Sequence, residues 1–257
     1  MHFLYSMWLR FAPLGRTMAV ALGFGSVAAS VIAQTVNPIT LHYNPRVPYE
    51  YLEDGRVKGL VATPIELAFR KAGVAFVWAE TPAARQFALV KNNMGMDCLA
   101  GRFKTDDRSQ WSRFTRPVYQ DRPQGLLANS NYDRLKKFTS ITAAVQSPTV
   151  ALLVKAGYSY GAVLDDAIRQ RTTPPLTTYD ESQNMLRQIQ RGMADTFIIA
   201  AEEADALVAR ANPSTKDFAF VTYPDAPVGE LRYIMCSHQV PESVIERLNA
   251  AITFKER

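Results

Sequence analysis

Arginines and tyrosines set beside turn-forming residues have the most chemical scope in this chain. A guanidinium offers a carboxylate two parallel donors, where an ammonium offers only a point charge. Thr105-Asp106-Asp107-Arg108 reads as a helix start: Thr105 as N-cap, two acids in the first turn, and Arg108 in the third helical position. Spacing alone leaves two roles open for Arg108: an anion donor reinforced by the helix N–H groups, or a surface partner of Asp106 or Asp107. Arg46 and Arg85, the latter early in a helix after Thr81-Pro82, are further guanidinium groups that either face an anion or face solvent. Tyr43, Tyr49 and Tyr51 bring ring faces with polar tips, with core packing the competing role for Tyr49 and Tyr51. In Tyr158-Ser159-Tyr160-Gly161, just before a helix expected near Ala162, Ser159 is placed to hold a ligand oxygen, to cap the helix, or to do both.

Other chemistries find little support. His42 and His238 lack a Ser or Cys nucleophile motif beside them, so no hydrolytic triad is indicated and no catalytic residue is assigned. Cys98 and Cys236 form no C-x-x-C or Cys/His cluster, so neither a metal nor another cofactor is expected. Glu202 is the one candidate acid or base for an enzymatic reading. The formal charge of +5 includes Arg10 and Arg16 of the first segment, and the remaining charges are interspersed, which is not a nucleic-acid footprint.

Those residues must be positioned by a folded, exported chain. Arg10 and Arg16 precede an apolar stretch from Met18 to Ala33, short for a membrane span, with small residues at Val31 and Ala33. Residues 1–33 are therefore expected to be a signal peptide cut before Gln34, which predicts a periplasmic protein. Strand signals at Ile39–Tyr43, Phe76–Ala79 and Asp97–Ala100 alternate with helix signals. One helix is expected to start with Thr63 as cap, Pro64 and Glu66, and another with Thr81 and Pro82. Before the first of them, Glu53-Asp54-Gly55 marks a hairpin turn. A second series follows, with strands near 124–128, 150–154, 176–179 and 195–199 and helices near 162–169, 182–191 and 201–210; the chain closes with a strand over 230–236 and a helix after Pro241. Alternation of this kind predicts α/β layers, and two such layers in one chain predict a cleft.

Four segments resemble the type-3 extracellular solute-binding proteins that serve polar-amino-acid ABC transporters. They are Pro48-Tyr49-Glu50-Tyr51 with Gly59-Leu60; Ala100 to Arg108 followed by Phe114-Thr115-Arg116-Pro117-Val118-Tyr119; Gly157 to Gly161; and Gly192-Met193-Ala194-Asp195 followed by Glu202-Glu203. The resemblance implies an α/β, two-lobed periplasmic-binding-protein-like (type II) fold with a hinge and an inter-lobe cleft. Lobe one would hold residues 34–118 and 231–257, lobe two 119–230, with crossings near Pro117 to Tyr119 and Gly229 to Leu231.

It further implies capture of a small polar or anionic solute, amino-acid-like or carboxylate, by a monomer that hands it to a membrane permease. A sensory receptor and, less readily, a dehydratase-like enzyme are the alternatives on the same fold. The ligand set implied is Arg108, Arg46, Tyr43, Arg85, Phe103, Thr105, Ser159, Tyr160 and Glu202. The chain departs from the family pattern at two places: Val61 replaces an acid after Gly59-Leu60, and the acid that pairs with a ligand ammonium aligns with Ala200, Glu202 reaching it only by a two-residue shift. The likeness also returns the last strand to the first sheet, which makes Cys98 and Cys236 neighbours able to bond; two separately buried thiols are the other outcome.

Overall fold

The computed structural model describes residues 37–211 and 217–255; the expected leader and its cleavage point lie outside the described residues. Strand β1 (Ile39–Tyr43) pairs in parallel with β4 (Phe76–Glu80) and β5 (Asp97–Arg102), while β12 (Leu231–Cys236) runs antiparallel to β5 and to β6 (Arg113–Gln120). The first sheet therefore has the order β4-β1-β5-β12-β6. The second sheet has the order β11-β7-β10-β8-β9, built from β7 (Gln124–Asn129), β8 (Leu152–Lys155), β9 (Leu176–Thr178), β10 (Thr196–Ala200) and β11 (Phe218–Val221). A hairpin of β2 (Tyr51–Glu53) and β3 (Arg56–Lys58) turns through Asp54 and Gly55, both at positive φ, as a tight two-residue turn requires.

Each sheet is covered on both faces. Period-two alternation in β5 sends Cys98 and Ala100 into one core, with α1 (Ala62–Lys71) and α8 (Glu242–Ala251), and Leu99 into another with Val90 of α2 (Ala83–Asn92). On the second sheet, Leu126 and Ile198 face α4 (Ile141–Gln146) and α5 (Ala162–Arg169). Leu127 and Phe197 face α6 (Ser182–Gln190) and α7 (Ala201–Arg210). No helix among the described residues is long and apolar enough to cross a membrane.

Several local expectations are corrected. Helix α1 starts at Ala62 with no side-chain cap, because Val61 and Ala62 donate their N–H groups to the Tyr49 carbonyl; Thr63 Oγ1 instead accepts from Gly59 N. Pro82, not Thr81, holds the N-cap position of α2. Pro117 to Tyr119, expected at a crossing, lie inside β6, where Pro117 is accommodated because β6 is an edge strand with a register shift against β12. The chain leaves the first sheet after Gln120 and returns to it at Leu231, and the two connectors touch where Asp121 N donates to Glu230 O at 2.9 Å. Cys98 and Cys236 are cross-strand partners in β5 and β12 and are joined by a disulfide.

Candidate functional site

At the carboxyl ends of β1, β5, β8 and β10, the two layers face each other across a cavity lined by residues of both. Open α/β sheets place ligands at such strand ends. From the first layer come Arg46, after β1; Arg102, ending β5; Phe103; Arg108, on α3 (Asp106–Trp111); and Phe87 of α2. The second layer supplies the Tyr158-Ser159-Tyr160 loop before α5 and the apolar end of β10, Ile198 to Ala200. Asp121, Gln124 and Arg232 complete the wall at the connectors.

Two of the four arginines are paired with carboxylates and two are not. Arg232 lies over the rings of Tyr49 and Phe103, at 4.0 and 4.8 Å, and its Nε and Nη2 donate to the two oxygens of Asp121 at 2.5 and 2.7 Å. Arg46 makes the same fork to Glu203, 2.6 Å on both arms, and this pair joins the two layers. Burial pushes the Glu203 carboxyl up, but the Arg46 guanidinium outweighs it and holds the group below the ordinary carboxylate value.

Arg102 donates through Nη2 to Asn44 Oδ1 at 2.9 Å and to Gln86 Oε1, and its buried Nε has no partner among the described residues. Arg108 donates to the carbonyls of Phe103 at 2.9 Å and Gly157 at 3.3 Å. Both Arg102 and Arg108 stack on Phe87, at 5.6 and 4.5 Å. Burial, and then the charge of Arg102, lower the Arg108 pKa to about 10.

In lobe two, Ser159 Oγ donates to Asp165 Oδ2 and Tyr160 OH accepts from Lys155 N, so this loop is fixed by its own bonds; Gly161, not Ser159, is the N-cap of α5. Tyr158 stands between Arg46 and Lys155, whose charged groups lie 5.4 and 4.7 Å from its ring, and its OH has no partner among the described residues. Burial pushes the Tyr158 phenol up, yet Arg46, Arg102 and Lys155 together hold it below its ordinary value.

Of the residues expected from sequence, Arg46, Arg108, Phe103, Ser159 and Tyr160 line this cavity. Thr105 supports it indirectly, as the N-cap accepting from Arg108 N at 3.3 Å. Three expectations are corrected. Arg85 is exposed, because Ala83, Gln86 and Val90 form the buried face of α2 and residue 85 falls off that stripe. Tyr43 turns into the core beside Trp78, at 5.7 Å, and its OH donates to Glu80; the next residue, Asn44, reaches Arg102 instead. Glu202 accepts from Tyr119 OH and Arg122 N and so ties the first connector to α7; Ala200 lines the cavity, and the helix that starts at Ala201 carries residues 202 and 203 away from it.

Arg102, Arg232, Asp121, Gln124 and Phe87 were not singled out from sequence. Arg232 carried a usable signal, since it falls on the same strand face as Ile234 and Cys236, both fully buried. His42, bonded through its two ring nitrogens to Thr81 Oγ1 and Asp97 Oδ1 at 2.9 Å each, lies outside the cavity and the three groups satisfy one another. Among the described residues no group of three or more His, Cys, Asp or Glu is placed to hold a metal ion.

Two covered sheets, joined by paired connectors and closing on a polar cavity, define a two-lobed binding protein of the periplasmic-receptor class. The chain belongs to the bacterial extracellular solute-binding proteins, family 3, whose model matches residues 39–221. Its fold is similar to that of an amino acid ABC transporter substrate-binding protein from Streptococcus pneumoniae Canada MDR_19A, bound to L-arginine: TM-score 0.66, 18% identity, 84% of this chain and 87% of that chain covered. It is also similar to the arginine-, lysine-, histidine-binding protein ArtJ from Geobacillus stearothermophilus, with TM-score 0.67, 15% identity, and 84% and 88% of the two chains covered. Comparison with curated protein sequences finds no match.

Proposed function

We propose that this chain is exported to the periplasm after loss of residues 1–33 and works there as a monomer. It captures a small polar or anionic solute between its lobes and delivers it to the permease of an ABC transporter. One observation carries this reading: the cavity wall is drawn from both layers, guanidinium groups from the first and the Tyr158 to Tyr160 loop from the second. A solute touching both walls favours the closed arrangement, because only that arrangement offers all its contacts. The similar structures, one bound to L-arginine and one an arginine-, lysine-, histidine-binding protein, support a solute of amino-acid size.

Residues 34–120 and 231–257 then act as one lobe and 121–230 as the other, with the paired connectors after Gln120 and before Leu231 as hinge. Arg46 and Arg108 contact the solute, with Phe103, Ser159 and Tyr160 shaping its pocket. A catalytic role loses its acid–base candidate, since Glu202 is engaged at the connector. The test is a thermal-shift screen of residues 34–257 against amino acids, small carboxylic acids and short peptides. A solute present at 100 times its Kd should add about 2.7 kcal/mol of stability. No shift with any of these classes would remove the solute-capture reading.

A further inference from the structure

We propose that the cavity selects an organic acid without an ammonium group, its carboxylate received by Arg102 and Arg108. This deepens the solute-binding reading and rests on it. Four guanidinium groups line the cavity, and two of them, Arg46 and Arg232, are already neutralised by buried two-armed pairs with Glu203 and Asp121. The other two donate only to neutral acceptors: Arg102 to the side-chain oxygens of Asn44 and Gln86, Arg108 to two backbone carbonyls. They share the ring of Phe87, Arg102 is 4% exposed and Arg108 9%, and the Nε donor of Arg102 is unpartnered. Glu50, buried close to Gly101, acts on Arg102 through its field, but no hydrogen bond joins them and it does not line the cavity. Two neighbouring buried cations without a carboxylate between them repel each other, and a bound oxyanion removes that repulsion while filling the donors.

The same wall has no place for an ammonium. A buried ammonium needs a carboxylate whose charge is not already spent. Among the described residues Asp121 is the one carboxylate in the lining, and both its oxygens are held by Arg232. The end of β10 presents Ile198, Ile199 and Ala200. What the wall does offer beside the cations is neutral: the Tyr158 hydroxyl and Gln124 Oε1, both without a partner among the described residues. The Tyr158 hydroxyl suits a second carboxyl oxygen, to which it would donate, and Gln124 Oε1 suits a solute hydroxyl, from which it would accept.

Calorimetric titration of residues 34–257 with matched pairs tests this: succinate against L-aspartate, glutarate against L-glutamate, and L-lactate against L-alanine. In at least one pair the acid should bind ten-fold or more tightly than its amino acid. Ala200→Asp, which places a carboxylate on the bare wall at the N-cap position of α7, where Asp is well tolerated, should reverse that preference. Arg102→Gln should weaken the acid at least ten-fold, with Arg102→Lys recovering part; the wild-type pairs and Ala200→Asp keep the test decisive if Arg102→Gln does not fold. Tighter binding of the amino acid in the pairs that bind overturns the ammonium-free assignment and leaves solute capture standing. Silence with all six probes, alongside a thermal-shift ligand that bears no carboxylate, overturns it alone. Silence in both experiments overturns both readings.

Discussion

Arg108 illustrates how a single residue joins local structure to function. Thr105 stops the chain in extended geometry and starts α3, which turns Arg108 inward to the Phe103 and Gly157 carbonyls rather than outward to Asp106 or Asp107. Arg108→Ala should weaken binding of the tightest acid by about 2–5 kcal/mol, the range for truncating a buried charged contact. It should also lower stability by about 0.5–1.5 kcal/mol, the net worth of an ordinary hydrogen bond, because the part-buried bonds to the Phe103 and Gly157 carbonyls are lost. Arg108→Lys should recover only part of the affinity, having lost the fork. Titration and denaturant unfolding of the three proteins check this, and equal affinities would contradict it. At this scale sequence was a partial guide. Arg108 was legible through its capped turn, whereas Arg85 sits in an equally suggestive segment and points to solvent, since one residue of rotation on a helix decides between cavity and water. Arg102 lay in the same quoted segment as Arg108, but its role depends on Asn44 and Gln86, 58 and 16 residues away, which no local pattern announces.

Among the elements, the connectors are the most tightly specified. Gly229 is buried against the Asp121 backbone, and a Cβ at residue 229 would overlap the Asp121 carbonyl. Gly229→Ala should therefore push the connectors apart at a cost of about 1–3 kcal/mol, the usual range for overpacking a fitted contact. Because those connectors also carry Asp121 into the cavity wall, solute affinity should fall with stability; a variant with wild-type melting temperature and affinity would show the contact to be slack. Strand and helix positions were largely legible, since the short apolar run Ile39–Tyr43 ends at a turn signal and the stripe of α8 repeats at helical spacing, both local patterns. Helix starts were less so. Thr63-Pro64 has every local mark of a cap, yet the Tyr49 carbonyl takes the first free N–H groups of α1, and that carbonyl arrives there only through the hairpin loop. The crossing that the family likeness implied near Pro117 to Tyr119 comes after Gln120, because β6 stays paired with β12 up to the Gln120 and Leu231 partners.

For the whole molecule, Arg46 and Glu203 form the strongest link between the lobes, assisted by Asn44 reaching Glu181 and Arg108 reaching Gly157. The Glu203 carboxyl is held below its ordinary value, so the folded, closed state binds its proton less readily than the open or unfolded chain. Its contribution is accordingly complete above about pH 4.3 and is lost as pH falls further through the depressed value. Small-angle scattering should show a constant radius of gyration from neutral pH to that point and an increase below it. Glu203→Gln should be open already at neutral pH, because an unpaired Arg46 gains by returning to water; a compact Glu203→Gln would assign closure to other contacts. The bond between Cys98 and Cys236 has a mechanical meaning as well. Every strand of the second sheet lies between those two residues, so tension applied at the chain's ends would cross from β5 to β12 through sulfur and bypass lobe two altogether. A pull strong enough to strip β1 or α8 from the first sheet would leave the second lobe slack, unloaded and still folded.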